Sequence, residues 1–144
     1  MLLLLVAATS MFSGCGGTPE GQVPVYPVSG QIQYQGKPLS GAVVTFHPED
    51  ESKVAKDTPR PMGRTDEQGK FELTTYGLSD GAPAGSYLVA ISTLPPPRTE
   101  TGLFASKSPL AVDTLKGRFL DHKKAGLKAE VKEVTNQIPA FDLK

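Results

Sequence analysis

The amino-acid sequence predicts an all-β fold, a β-sandwich of seven short antiparallel strands. Three observations predict it: apolar and polar residues alternate in several short runs, turn residues separate these runs, and almost no segment has helical periodicity. The chain has 144 residues with 15 glycines and 13 prolines, which allows one domain rich in turns. At most one helical turn is expected, in residues 116–125.

The segment 28–46 reads as strand, tight turn and strand, and the later strands are expected to pack against it. In the turn at 35–38, Gly36 can take positive φ and Pro38 is expected to end the pairing. Alternation in the two strands predicts six residues on the core side: Val28, Ile32, Tyr34, Ala42, Val44 and Phe46.

A second hairpin is predicted in residues 63–75. A short strand leads into a turn that begins with an acceptor side chain, Asp66, and ends with Gly69. The strand that follows alternates cleanly between apolar and charged residues, so Phe71 and Leu73 are expected in the core.

Three further strands complete the predicted sandwich. The run 87–92 is apolar on both faces, which favours a central strand. Residues 127–131 alternate again, and the last strand, 138–143, contains Pro139, which predicts an edge position or a bulge. In that last strand the core face is expected to hold Ile138, Phe141 and Leu143.

Two long connections are expected to offer the contact surfaces of the domain. Residues 49–60 are mostly charged or polar, which indicates a solvated loop. Residues 94–115 contain three consecutive prolines and exceed the usual length of a connection, which predicts a mobile loop or a binding loop. Prolines favour an extended course, so this loop could follow a sheet edge.

The first fifteen residues resemble a bacterial lipoprotein signal. An apolar run at 2–8 is followed by Ser13, Gly14 and Cys15, the single cysteine of the chain. In such signals the cysteine is lipidated and becomes the N-terminus, so the resemblance implies a stable anchor of two or more acyl chains on Cys15. Phe12 stands where the lipobox usually has Leu. No Lys or Arg precedes the run, so we expect the natural start to lie a few codons upstream.

Two other interpretations of the apolar run have less support. A membrane-spanning helix needs about 20 apolar residues, and the Gly-Cys-Gly-Gly sequence at 14–17 interrupts the run earlier. A core helix would have an amphipathic face, which this run lacks.

The predicted organisation has three parts. Residues 1–14 are a signal peptide, and residues 15–27 comprise the lipidated cysteine and a flexible tether of Gly, Pro and polar residues. Residues 28–144 form the β-sandwich. This organisation predicts a domain held at the cell envelope by its lipid, facing the periplasm or the cell exterior.

Three motifs follow one another along the domain: VSGQIQYQGKPLSGAVVTFHP at 28–48, GRTDEQGKFEL at 63–73 and APAGSYLVAI at 82–91. Together they resemble the carboxypeptidase regulatory-like family, which implies a transthyretin-like (prealbumin-like, Ig-like) sandwich of seven strands. The whole chain is similar to small bacterial lipoproteins that carry this one domain. Because the motif residues serve turns and core, the resemblance implies a fold rather than an activity.

Activities of related sandwiches find no support in these residues. The transthyretin-like hydrolase uses histidines, an arginine and a C-terminal Tyr-Arg-Gly-Ser-type tail, whereas residues 141–144 are Phe-Asp-Leu-Lys. An isopeptide bond to Asn136 would need a lysine on the first strand, and residues 29–34 contain none.

Composition and motifs exclude several classes of function. The 15 basic residues balance the 15 acidic ones without a basic block, so no nucleic-acid partner is expected. A single cysteine allows neither an intrachain disulfide nor a cysteine zinc site.

Two short motifs resemble functional sites only in part. Gly-Leu-Ser-Asp-Gly at 77–81 has the Gly, Ser and Gly of a nucleophile elbow, but no helix is predicted after it. The turn at 66–69 lacks the alternating oxygen ligands of a calcium loop. No cofactor or metal is therefore predicted.

His47 and His122 are the two histidines of the chain. His47 lies on the outward phase of its strand, and His122 lies in a charged Asp-His-Lys-Lys turn, so each is expected at an exposed or edge position. The sequence leaves open whether they meet in space. Together with Asp121 they could bind a metal weakly.

The sequence favours a lipid-anchored, non-enzymatic β-sandwich of the cell envelope that serves as a protein-contact or structural module, with another envelope protein as a possible partner. The alternative is a module that binds a small ligand or a carbohydrate, with an apolar pocket or exposed aromatic cluster near Pro95. The tyrosines available for such a cluster are Tyr26, Tyr76 and Tyr87, although core packing explains Tyr87 better. An enzyme would need an acid–His or Ser–His cluster that only the fold could assemble.

Overall fold

The structure is a computed structural model that describes residues 21–93 and 113–144. In these residues the chain forms nine strands, a 3₁₀ turn at Glu51–Lys53 and a helical turn, α1, at His122–Ala125. The strands are β1 Val28–Tyr34, β2 Lys37–Pro38, β3 Val43–Pro48, β4 Met62–Arg64, β5 Lys70–Glu72, β6 Gly85–Ser92, β7 Lys128–Val131, β8 Asn136–Gln137 and β9 Phe141–Leu143. The all-β fold class is confirmed.

The strands form two sheets that face each other across the core. In the first sheet β1 is central, with β2 and β5 antiparallel on one side and β8 and β9 on the other. The second sheet has the order β4-β3-β6-β7, and its pairs are antiparallel. This is the two-layer arrangement of a β-sandwich.

The prediction of an entirely antiparallel sandwich is wrong at β8 and β9, which both run parallel to β1. Ser29 pairs with Gln137 in β8, and Ile32 pairs with Phe141 in β9. Parallel neighbours cannot be joined by a tight turn, and here most of the domain lies between them in sequence. Alternation could not reveal this, because it reports which face is buried and not the direction of the neighbouring strand.

The strand number differs from the predicted seven because two segments predicted as turns pair with β1. Gln35 and Gly36 both have positive φ, 51° and 76°, so two residues suffice for the first hairpin turn. Pro38 consequently pairs with Gln33 instead of ending the pairing, and its missing N–H is tolerated because β2 is an edge strand. The second such segment is β8.

The core takes residues from both sheets, as the alternation predicted. The ring of Phe46 in β3 lies 6.5 Å from that of Phe71 in β5 and 5.5 Å from that of Tyr87 in β6, measured between centroids. Burial of a side chain of this size contributes about 1.5–3 kcal/mol. The predicted core residues that are buried are Val28, Ile32, Ala42, Val44, Phe46, Phe71, Leu73, Ile138, Phe141 and Leu143, while Tyr34 is partly buried.

Strand β6 is central, as its two apolar faces predicted, with β3 on one side and β7 on the other. Beyond β7, this second side of β6 makes two more hydrogen bonds, from the N–H of Val89 to the carbonyl of Leu127 and from the N–H of Ile91 to the carbonyl of Phe119, each 2.9 Å. The chain between Phe119 and Leu127 therefore leaves the sheet edge and returns to it, and α1 lies in this excursion.

The chain is already packed before β1 begins. Tyr26 forms an antiparallel bridge with Ala82, with two hydrogen bonds of 2.9 and 3.0 Å. The backbone N–H of Val23 donates to the hydroxyl of Tyr76 at 3.3 Å. Gly81 permits this approach, because a Cβ at that position would overlap the carbonyl oxygen of Tyr26. The last part of the predicted tether thus contacts the sandwich.

Residues 94–112, most of the predicted proline-rich loop, lie outside the described residues. The two residues that flank this segment are in contact, because the Thr93 hydroxyl donates to the Asp113 carboxylate at 2.6 Å. The N–H of Thr114 donates to the same hydroxyl at 2.9 Å. Thr93 lies near Val43, the first residue of β3, because the preceding residue, Ser92 of β6, pairs with Val43.

Candidate functional site

Cys15, the one site residue that the sequence predicts, lies outside the described residues, so its lipidation stays a prediction. Within residues 21–93 and 113–144, no helix has the length and apolar character to span a membrane. In this part of the chain the most unusual arrangement of titratable groups lies on the outer face of the second sheet.

The imidazole rings of His47 and His122 are stacked there, with centroids 3.9 Å apart and planes 5° apart. His47 follows the buried Phe46 in β3, so its side chain points away from the core. His122 begins α1, in the excursion of the chain beside β6. The two histidines are half-buried by this contact, which the sequence left open.

The local structure of α1 fixes His122 over the sheet. The carboxylate of Asp121 accepts a hydrogen bond from the N–H of Lys123 at 3.0 Å, which caps the first turn. Gly126 ends the helical turn with φ 69°, a conformation in which glycine has no steric penalty. Lys124 lies 3.7 Å from the Asp121 carboxylate, but both side chains are exposed and this ion pair adds little.

Arg60 extends the stack into a four-residue network. Its Nη1 donates to Nδ1 of His47 at 2.8 Å, and its Nη2 donates to the carboxylate of Glu51 at 3.0 Å. A guanidinium has donors only, so Nδ1 of His47 must be the acceptor. The neutral ring then carries its proton on Nε2. The network runs in the order His122, His47, Arg60 and Glu51.

The electrostatics of the network agree with this tautomer. Burial above all, and then the neighbouring charges of His122 and Arg60, lower the pKa of His47 from 6.5 to about 4. The hydrogen bond from Arg60, together with its charge, lowers the pKa of Glu51. The Glu51 carboxyl is therefore charged and the His47 ring is neutral near pH 7.

The stacked geometry does not suit a shared metal ion. A metal bound by imidazole lies in the ring plane, about 2.0–2.1 Å from the nitrogen, and two parallel rings 3.9 Å apart place their planes side by side. Asp121 is committed to capping α1. Among the described residues, no group of three or more His, Cys, Asp and Glu side chains is placed to hold an ion.

The other polar candidates have structural partners. The Asp66 carboxylate accepts the N–H groups of Gln68 and Lys70 at 2.8 and 2.9 Å, so it holds the hairpin turn. Asn136 is buried, and its side-chain amide pairs with both the N–H and the carbonyl of Lys132 at 2.8 and 2.9 Å. Ser79 lies in a loop that β6 follows, without a helix.

The three tyrosines considered for sugar binding also have structural contacts. Tyr26 forms the bridge before β1 and packs against the core, and Tyr76 accepts the hydrogen bond from Val23. Tyr87 is 3% exposed, and its hydroxyl donates to the carbonyl of Pro83 at 2.7 Å. Burial raises the pKa of Tyr87 to about 12. The pocket predicted near residue 95 lies outside the described residues.

Two adjoining cavities lie beneath the connection between β3 and β4. Their volumes are about 350 and 640 Å³. The residues that line both are Pro48, Val54, Pro83 and Tyr87. Thr58 lines the smaller one, and its hydroxyl is buried without a hydrogen-bond partner among the described residues.

The roles of Arg60 and Glu51 were not predicted from the sequence, because both residues lie in the charged segment 49–60, whose composition indicates a solvated loop. No local pattern could have found them, since the loop must fold back onto the outer face of β3 for the contact to form.

In the comparisons with known proteins, no family model, curated protein or solved structure matches this chain.

Proposed function

We propose that this protein is a lipid-anchored, non-enzymatic β-sandwich of the cell envelope that acts by contacting another envelope protein. One observation carries the proposal. The polar groups of the candidate site are paired with one another at the surface, with Arg60 occupying Nδ1 of His47. The hydrogen bond and the stacking hold the His47 ring in one orientation at the surface. The lowered pKa of His47 also makes it a poor general base near neutral pH.

The proposed anchor is the diacylglyceryl group on Cys15. The apolar run that precedes this cysteine and the small residues Ser13 and Gly14 support it. The first described residue, Gly21, follows Cys15 closely, so the domain would sit next to the lipid surface rather than far from it.

The proposed family is the carboxypeptidase regulatory-like one, with its transthyretin-like sandwich. Its support is the three motifs at 28–48, 63–73 and 82–91, together with the backbone at their glycines. Four motif glycines adopt positive φ, a conformation that favours glycine: Gly36, Gly41, Gly69 and Gly85.

The proposed contact surface is the stacked pair and the charged residues around it. Glu51, Arg60 and Lys123 are exposed, and the hydrogen bonds of the network hold Glu51 and Arg60 in place before any partner arrives. Preorganised charged groups mainly steer association and select the partner. The partner is expected to carry complementary charges on a fixed surface.

Photo-crosslinking in the native cell tests this proposal. A photo-crosslinking amino acid in place of Lys123 should yield an adduct with an envelope protein. The same amino acid in place of Glu72, which is exposed on the first sheet, serves as the control and should yield none. Equal adducts from both positions, or none from either, would count against a contact through the stacked pair.

A second candidate function, binding of a small ligand or a carbohydrate, has one observation in its favour. The adjoining cavities together have the size of small-molecule sites, and the hydroxyl of Thr58 is an unused donor in the wall of one of them. A glycan and metabolite screen by thermal shift would support it if a ligand raised the unfolding temperature of the wild type and not of Thr58→Val.

A further inference from the structure

Leu78 is the most exposed large apolar side chain among the described residues, with 95% of its surface in contact with solvent. Its loop has a fixed shape. The carboxylate of Asp80 accepts the N–H groups of Thr75, Tyr76 and Gly77 at 2.7, 2.9 and 2.8 Å. These three hydrogen bonds hold the loop in a conformation that leaves the Leu78 side chain in water.

The loop that carries Leu78 lies at the end of the sandwich where the chain arrives from Cys15. It follows Leu73, whose N–H donates to the carbonyl of Val28, the first residue of β1. The hydroxyl of Tyr76 in the same loop accepts from the N–H of Val23. The opposite end of β1 lies roughly 20 Å away, at about 3.3 Å per residue.

The length of chain before the described part limits how far this end can stand from a lipid surface. Six residue steps separate Cys15 from Gly21, and an extended chain spans at most about 3.6 Å per residue. A lipid on Cys15 would therefore hold Gly21 within about 20 Å of the membrane surface. Residues from Val23 onward cannot lengthen this connection, because Val23 and Tyr26 are hydrogen-bonded to the sandwich.

We propose that Leu78 inserts into the lipid surface beside the anchor, as a second and non-covalent membrane contact that orients the sandwich. The proposal rests on the proposed lipidation of Cys15. A single buried leucine shifts an equilibrium by roughly tenfold or more, which is small beside a two-chain anchor and sufficient to favour one orientation of an already anchored domain. In that orientation Thr93 faces away from the membrane, because it lies at the far end of β6.

Tryptophan fluorescence tests the insertion directly, because the chain contains no Trp. Leu78→Trp places one reporter in the loop, and Lys37→Trp places the control in β2, at the other end of β1. Both lipidated variants are reconstituted in phosphatidylcholine vesicles with brominated acyl chains. Trp at position 78 should shift to the blue and lose about half of its fluorescence, whereas Trp at position 37 should keep its emission.

Flotation with the same vesicles separates failure of the insertion from failure of the anchor. Wild-type protein should float and Cys15→Ser should not. If the wild type floats while the reporters at 78 and 37 are quenched equally, the insertion is overturned and the anchor stands. If the wild type does not float, both proposals fall. A blue shift at position 78 that needs an added envelope protein, without quenching by lipid, would assign the loop to a protein partner and overturn the insertion.

Discussion

The imidazole rings of His47 and His122 stack at 3.9 Å between centroids, with 5° between their planes. One ring stands on a central region of the second sheet and the other on a short helical turn beside it. Arg60 donates a hydrogen bond to Nδ1 of His47. These contacts make the protonation of His47 a measurable reporter of the site.

Stability should fall on acidification through His47. Its pKa drops from 6.5 in the unfolded chain to about 4 in the fold, so the unfolded state takes up the proton first as the pH falls. The contribution is complete above pH 6.5 and is lost progressively between 6.5 and about 4. Because the ring is partly exposed, the expected loss is roughly 1 kcal/mol.

Denaturant unfolding between pH 7 and 4.5 measures this loss. Several carboxylates also change charge in acid, so the comparison is with His47→Phe, which keeps an aromatic ring over His122 and does not titrate. The variant should show a shallower fall of the unfolding free energy with pH. Identical slopes in the two proteins would contradict the assignment of the proton to His47.

Removing Arg60 should raise the pKa of His47 without restoring it to 6.5. Burial is the largest cause of the lowered pKa, and the charge of Arg60 is a smaller one, so Arg60→Gln removes only part of the effect. NMR titration of the ring protons measures the pKa. Lys56→Gln, which removes a positive charge from the same loop, is the matched control and should leave the pKa nearly unchanged.

Gly81→Ala should be strongly destabilising. Gly81 has φ 100°, and a Cβ there would overlap the carbonyl oxygen of Tyr26, so the bridge to Ala82 must break or the backbone must move. The expected cost is about 3 kcal/mol or more of unfolding free energy. Gly77→Ala in the same loop is the control, because the nearest atom to its added Cβ would be 3.9 Å away. A similar cost for both variants would refute the close approach at Tyr26.

Asp80→Ala should loosen the loop that carries Leu78. Three backbone N–H groups lose a charged acceptor, and a hydrogen bond to a charged group contributes about 1.5–3 kcal/mol net. Because this loop lies at the surface, water can replace part of the lost acceptor. We expect a loss of about 2 kcal/mol of stability and faster hydrogen exchange at the amides of Thr75, Tyr76 and Gly77. Asp57→Ala, at an exposed position of another loop, should cost less than 0.5 kcal/mol or so.

The sequence was most informative about features that depend on residues close together in the chain, such as the alternation of apolar and charged residues along one strand. The outward Lys70 and Glu72 around Phe71 predicted the buried face of β5 correctly, and the two apolar faces of 87–92 predicted a central strand. The turn at Asp66 was also predictable, because its acceptor side chain bonds to residues only two and four positions away. Such features are local, so the residues involved are neighbours in the chain.

The tertiary structure decided everything that joins distant residues. Periodicity shows which side of a strand is buried but not which strand lies beside it, so it could not predict the parallel pairing of β8 and β9 with β1. It also could not place His122 against His47 or Tyr26 against Ala82. Those contacts depend on sheet order and on the path of the chain between Phe119 and Leu127, which only the packed fold fixes.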